Sequence, residues 1–148
     1  VTDTEADSPD LHVAAGVLQD TGGRVLVAQR QDGKPMAGAW EFPGGKISSG
    51  ETPLQGLVRE LQEELGIGVR YARHLLRYSH QYPERLVHLY VWKVLDWQGD
   101  VTGEEGQALK WVYPADLMQA GLLVADEPVA HFLQQAAPVN TAVDFAGQ

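Results

Sequence analysis

Three glutamates, an arginine and a pair of glycines in GKISSGETPLQGLVRELQEELGI (Gly45 to Ile67) have the types and spacing to hold hard metal ions against a phosphate chain. Glu60, Glu63 and Glu64 stand at i, i+3 and i+4 of a segment with helical periodicity, so their carboxylates can converge on one point, and Arg59 lies four residues before Glu63. Unneutralised carboxylates in one patch repel each other. A cation between them relieves the repulsion, and oxygen ligands select Mg²⁺, with Mn²⁺ as a substitute, over Zn²⁺. The turn Pro43-Gly44-Gly45 brings bare backbone nearby, where a carbonyl is one more hard ligand. For an isolated E-x-x-E-E, a solvated helix face is the commoner explanation.

The elements that must position these groups follow from patterning. Pro53 to Leu65 reads as an amphipathic helix burying Leu54, Leu57, Val58, Leu61 and Leu65, with Gly66 as its stop. Strands are expected over 11–18 and 24–30, joined in a hairpin by the turn Asp20 to Gly23, followed by a short segment at Glu41-Phe42. Further strands are expected near 69–71, 75–81, 86–95 and 108–112, the third apolar on both faces and therefore central. Pro114 to Gln119 suggests a short helix, and Asp126-Glu127-Pro128 a cap for a final helix burying Val129, Phe132 and Leu133. Residues 1–10 read as a disordered acidic leader, 11–137 as one domain, and 138–148 as a tail or the start of a linker.

Spacing overturns the bland explanation of the acids. The pattern G-x5-E-x7-R-E-U-x-E-E-x-G-U, with U aliphatic, is met by Gly45, Glu51, Arg59, Glu60, Leu61, Glu63, Glu64, Gly66 and Ile67. Each fixed identity is expected at roughly one position in fifteen, so seven in register exclude chance. On this pattern the chain resembles the Nudix hydrolases. VLVAQR, AWEFPGGK, YPERLVHLYVW, GEEGQALKWV and ADEPVAHFL extend the resemblance to the MutT branch over about residues 11–136.

That resemblance implies an α/β fold, a mixed β-sheet sandwiched between α-helices (α/β/α), and cleavage of a nucleoside triphosphate to monophosphate and pyrophosphate. It implies metal ligation by Glu60, Glu63, Glu64 and the Gly45 carbonyl. Glu105, with Glu104 its nearest rival, matches a distant acidic residue brought to the metal, sometimes as base. Arg59 reads as an orienting partner of Glu63, and Glu51 as either a structural or an indirect metal residue. Arg30 and Arg85 match phosphate or nucleotide contacts, with a surface charge as the alternative for each. The branch attacks the β-phosphorus, but the residues alone do not distinguish α from β. The base is expected against Phe42 and read by its backbone and by Asp126, while Trp40 either walls the pocket or fills core. Bacterial oxidised-guanine enzymes carry Asn where this chain has Asp126; an ionised Asp only accepts, which suits cytosine N4, unless burial keeps it protonated. As a plain helix cap, Asp126 would touch no base. The substrate expected first is 8-oxo-dGTP, then CTP or a modified dCTP, and from another class the fold also suits an idle nucleotide-binding regulator.

Composition is consistent with this. The chain has 148 residues, 44% hydrophobic, enough for one domain with a real core. Its net charge of −9, from 11 basic and 20 acidic residues, repels polymeric nucleic acid and anionic membranes. A triphosphate escorted by a metal remains acceptable, since the ion reverses the local field. There is no cysteine, hence no disulfide framework or thiolate site. No apolar run approaches the roughly 18 residues of a membrane span, and no signal-peptide pattern is present, so a cytoplasmic protein is expected. Oligomeric state is left open.

Overall fold

The computed structural model describes the backbone of residues 10–146 and the side-chain environment of residues 10–136. Apart from Asp10, the acidic leader lies outside the described residues. In chain order the elements are β1 (Leu11–Leu18), β2 (Val25–Gln29), β3 (Trp40–Glu41), β4 (Gly44–Lys46), α1 (Pro53–Leu65), β5 (Gly68–Gln81), β6 (Leu86–Gln98) and β7 (Leu109–Val112), then 3-10 turns at Pro114–Gln119 and Val124–Asp126, and α2 (Glu127–Ala146). The chain divides into two compact units, Val1–Val17 with Pro43–Glu105 and Leu18–Phe42 with Gly106–Gln148.

The first unit carries a sheet in the order β4-β1-β6-β5. β6 is interior, as its two-sided apolar pattern requires. β4, a strand absent from the sequence expectation, pairs antiparallel with β1 and sets Gly45 opposite Ala14. β5 is a single strand where two are expected, because bulges at Val69/Tyr71 and His74/Leu76 break the alternation without ending the ladder to β6. Helix α1 has the expected bounds. Thr52 Oγ1 accepts from Gln55 N–H at 3.1 Å and Gln55 Oε1 accepts from Thr52 N–H at 2.9 Å, a reciprocal cap, with Pro53 preorganised in the first turn. Gly66, at φ 71°, ends the helix in a left-handed conformation that glycine adopts without strain. Leu57, Leu61 and Leu65 are fully buried, each worth about 2 kcal/mol. A side chain on Gly16 of β1 would stand 3.2 Å from Leu61 and 3.3 Å from Leu57, so a bare backbone lets strand and helix approach. Leu54, expected in the core, is 42% exposed, and Val58 is half-buried. The apolar stripe is wider than the surface that covers it, and Gly56 holds a buried position instead.

The second unit carries a sheet in the order β3-β2-β7. Asp20 Oδ1 accepts from the N–H groups of Gly22 and Arg24 at 2.9 and 2.8 Å, closing the expected turn. The hairpin itself does not extend: pairing stops at the Gln19–Val25 bridge, since β1 and β2 belong to different sheets. The segment 114–119 is 3-10 rather than α-helical. Trp40 and Leu122 form a parallel bridge, against the antiparallel ladders of β2 with β3 and β7. Among the described side chains of α2, Val129 and Ala130 are buried, while Phe132 is 37% exposed and Leu133 half-buried. The backbone of α2 stays helical through the stretch 138–146 that the sequence leaves as tail or linker. The chain is thus α/β, with few helices and both strand polarities.

Candidate active site

The acidic groups of α1 are organised by Arg59. Its guanidinium grips Glu51 with two bonds, Nε to Oε2 at 2.6 Å and Nη2 to Oε1 at 3.0 Å, and Nη2 also donates to the Lys46 carbonyl at 2.9 Å. Nη1 donates to Glu60 Oε2 at 3.0 Å and to Glu63 Oε1 at 3.3 Å. Glu63 is therefore its weakest partner, not its principal one. Arg59 and the Ser48 N–H hold the Glu51 carboxyl down to about 2, and bonds to Glu51 and Glu60 raise the arginine further. This settles Glu51's direct neighbours: it anchors the arginine that orients Glu60.

Glu60 lies over Gly45. A Cβ there would meet the carboxyl carbon at 2.4 Å and its oxygens at 2.5 and 2.6 Å. Glu64 Oε1 accepts from the Gly44 N–H at 3.3 Å, while Glu63 has a side chain 55% exposed. Among the described residues no three Asp, Glu or His side chains are gathered closely enough to hold a metal between them. Glu60 and Glu63 share Arg59 Nη1 while Glu64 takes the Gly44 amide, so the three helix carboxylates do not meet at one point in this arrangement. The donor chemistry still fits a hard divalent cation, since Glu60, Glu63, Glu64 and the Gly45 backbone offer oxygen alone, and Glu60 already rests on the glycine.

The loop 102–105 is tied to the end of α1. Thr102 N–H donates to the Leu65 carbonyl at 3.0 Å and Glu104 N–H to the Glu64 carbonyl at 2.9 Å, satisfying carbonyls that the helix terminus leaves open. The Glu104 carboxylate accepts from the Thr102 hydroxyl and stands 2.9 Å from where a Gly66 side chain would be. Glu104 is thereby engaged at the end of α1, and Glu105, exposed like it, follows in the same anchored loop.

The residues expected at the nucleotide are placed as follows. Arg30 donates from Nη1 to both oxygens of Glu41, at 3.0 and 3.3 Å, and from Nε to the Pro35 carbonyl at 2.7 Å. It also walls a polar cleft of about 410 Å³ with Gln29, Gln31, Gly38 and Gln107. Arg85 sits half-buried in the β5–β6 turn, its carbonyl accepting from Tyr82 N–H at 2.9 Å. Phe42 is buried, 4% exposed, and its N–H donates to Asp126 Oδ2 at 2.9 Å. Asp126 is itself buried and its carboxyl is pushed up to about 7, by desolvation first, with the Phe42 bond opposing and the charge of Glu41 adding. Its hydrogen bond reaches across 84 residues to Phe42, not to the α2 terminus. Trp40 carries the Lys110 ammonium 4.1 Å over its ring centroid, a cation–π contact.

Sequence reasoning missed Glu41 as the partner of Arg30. Arg30 lies just past β2, two residues beyond Ala28, and Ala28 faces Glu41 on β3, so the two side chains are diagonal neighbours. Only the pairing register reveals that relation; the one sequence signal is the charge of Glu41 beside two aromatic residues.

Known proteins resemble this chain in sequence and fold. The NUDIX domain family model matches residues 10–134. An 8-oxo-dGTP diphosphatase of Proteus vulgaris is 44% identical over 68% of this chain and 89% of its own length. A CTP pyrophosphohydrolase of Escherichia coli is 38% identical over 80% of this chain and 87% of its own. A solved MutT, from work on the proteins of Aliivibrio salmonicida and Vibrio cholerae, superposes with a TM-score of 0.74 at 32% identity, covering 85% of this chain and 98% of that one. The chain belongs to the Nudix family and is a hydrolase acting on phosphorus anhydrides.

Proposed function

We propose that this protein is a nucleoside triphosphate pyrophosphohydrolase that uses Mg²⁺, or Mn²⁺ in its place, and acts on 8-oxo-dGTP, sanitising the cytoplasmic nucleotide pool. The observation that carries the reading is the Glu60 carboxylate lying on Gly45, held there by Arg59. Nudix hydrolases use a divalent metal, and Glu60, Glu63, Glu64 and the Gly45 carbonyl are the residues that would hold it. When bound, it neutralises phosphate charge and acidifies a bound water. Arg59 orients Glu60 and Glu63, Arg30 and Arg85 supply positive charge for the phosphates, and Glu105 on its anchored loop is the candidate base. Phe42 and Asp126 read the base.

The buried carboxyl of Asp126 favours the oxidised purine: near neutral pH a large fraction keeps its proton and can donate to O6 of 8-oxoguanine, as an amide does. The ionised fraction accepts, which favours CTP as the second reading, and a 38% identical relative carries that name. A panel of nucleoside triphosphates with Mg²⁺, followed by pyrophosphate release, separates them. The proposal expects kcat/KM for 8-oxo-dGTP at least tenfold above dGTP and CTP. A maximum at CTP selects the second reading, and release of inorganic phosphate without pyrophosphate removes both.

A further inference from the structure

Two buried or half-buried carboxylates, Glu41 and Asp126, flank the backbone of Phe42 with a single guanidinium in attendance. That guanidinium is committed to Glu41: both Glu41 oxygens take Arg30 Nη1, and Arg30 Nε is tied to the Pro35 carbonyl at 2.7 Å. Asp126 receives the Phe42 N–H at 2.9 Å. We propose that Glu41 is a specificity-determining positioning residue, which fixes Arg30 in the wall of the polar cleft and whose charge decides whether Asp126 meets the base as donor or as acceptor.

Geometry and electrostatics point the same way. Glu41 lies on β3, one residue before Phe42, and Asp126 is held to Phe42 itself, so the two carboxylates share one short piece of backbone. Like charges in a shared desolvated setting cannot both ionise freely. Arg30, just past β2, favours the ionised form of either acid, but its hydrogen bonds go to Glu41. The charged groups acting on Asp126 are Glu41, which raises its carboxyl, and Arg30, which lowers it. Burial also raises Glu41, with Arg30 opposing. The proton therefore falls to Asp126, the residue without the arginine.

This inference rests on the reading that Asp126 contacts the base, and the test keeps the two apart. In Glu41→Gln, which keeps size and loses charge, the Asp126 carboxyl is followed by ¹³C NMR across pH 5 to 9. Its midpoint is expected to fall by about one unit, the scale of one close charge. Glu41→Ala, which removes the carboxylate altogether, is expected to lower the Asp126 midpoint by a similar amount, which gives the same answer should Glu41→Gln fold poorly. At pH 7 the kcat/KM ratio of 8-oxo-dGTP to CTP in Glu41→Gln is expected to fall three- to tenfold, through KM rather than kcat. Unmoved midpoints in both variants overturn the role of Glu41 and leave the base contact standing. Moved midpoints with an unchanged substrate ratio overturn the base contact, and with it Glu41's control of specificity.

Discussion

The carboxylate of Glu60 occupies the space that a side chain on Gly45 would need. A Cβ at residue 45 would lie 2.4 Å from the Glu60 carboxyl carbon, and Glu60 cannot swing aside without leaving Arg59 Nη1 at 3.0 Å. The glycine of the Nudix pattern is thus explained by a side chain from the helix fifteen residues on, not by a turn. Gly45→Ala is expected to keep the fold, because the conflict is with one side chain, and to lose at least a hundredfold in kcat, the scale of about 3 kcal/mol for a lost catalytic contact. Retained activity with a native circular dichroism spectrum would take Gly45 and Glu60 out of the catalytic set.

Glu63 offers the complementary case. Its side chain is 55% exposed and its contact with Arg59, at 3.3 Å, is the longest of that network. Exposed pairs of this kind contribute at most about 1 kcal/mol, so Glu63→Gln is expected to leave the denaturation midpoint nearly unchanged. Turnover is expected to drop by two orders of magnitude, since a neutral oxygen replaces an anionic ligand. A variant with more than a tenth of wild-type rate at saturating Mg²⁺ would exclude Glu63 as a ligand.

Arg59→Lys tests the anchor. An ammonium cannot reproduce the two-bond grip on Glu51 while also reaching Glu60 and the Lys46 carbonyl. Glu51 titrates at about 2 in the fold, below its ordinary 4.5. An acid depressed in this way supports the fold above its unfolded value and loses that support as pH falls through the folded one. In Arg59→Lys the Glu51 carboxyl returns toward its ordinary range, so acid unfolding is expected to begin at higher pH than in the wild type, together with a fall in kcat. Superimposable acid-unfolding curves would show that Glu51 needs no arginine.

The bounds of helix α1 were legible because their signals are local: the leucine spacing and the Gly66 stop lie within or beside the segment. The spacing of Glu60, Glu63 and Glu64 along one helix was legible for the same reason. Features that depend on tertiary partners were not. The pairing of Gly44 to Lys46 with β1, the exposure of Leu54 and Phe132, and the Arg30–Glu41 diagonal are each decided by what lies opposite. Asp126 shows both sides. Its place two residues before Pro128 suggests a cap, whereas its carboxylate accepts from the backbone of Phe42, 84 positions away.

Gly56 belongs to the same lesson. Glycine inside a helix costs about 0.5 to 1 kcal/mol relative to alanine, so an idle glycine would be improved by Gly56→Ala. Here a Cβ would stand 3.3 Å from Glu51 Oε1 and 3.3 Å from Ile47 Cγ1. The added methyl presses on the carboxylate that grips Arg59 and on Ile47, which must give by a few tenths of an ångström. Gly56→Ala is therefore expected to gain less stability than the helix alone would give and to reduce kcat severalfold. A gain near 1 kcal/mol with unchanged turnover would show that Glu51 yields at no cost to catalysis.

The carboxyl of Asp126 sits near 7 in the fold against 3.8 ordinarily, which makes its contribution to stability depend on pH with a definite sign. A raised acid binds its proton more tightly in the folded state, so between about pH 4 and 7 the folded protein holds more protons than the unfolded chain and stability falls as pH rises. The difference of about three units sets a ceiling near 4 kcal/mol. Asp126→Asn has no proton to lose while its side-chain oxygen still accepts from the Phe42 N–H. Urea denaturation at pH 5 and pH 8 is expected to show the wild type losing at least 2 kcal/mol more than Asp126→Asn over that interval. Equal losses in the two proteins would mean that Asp126 is ionised throughout, and an ionised Asp126 can only accept, which would turn the base preference toward an exocyclic amino group such as cytosine N4.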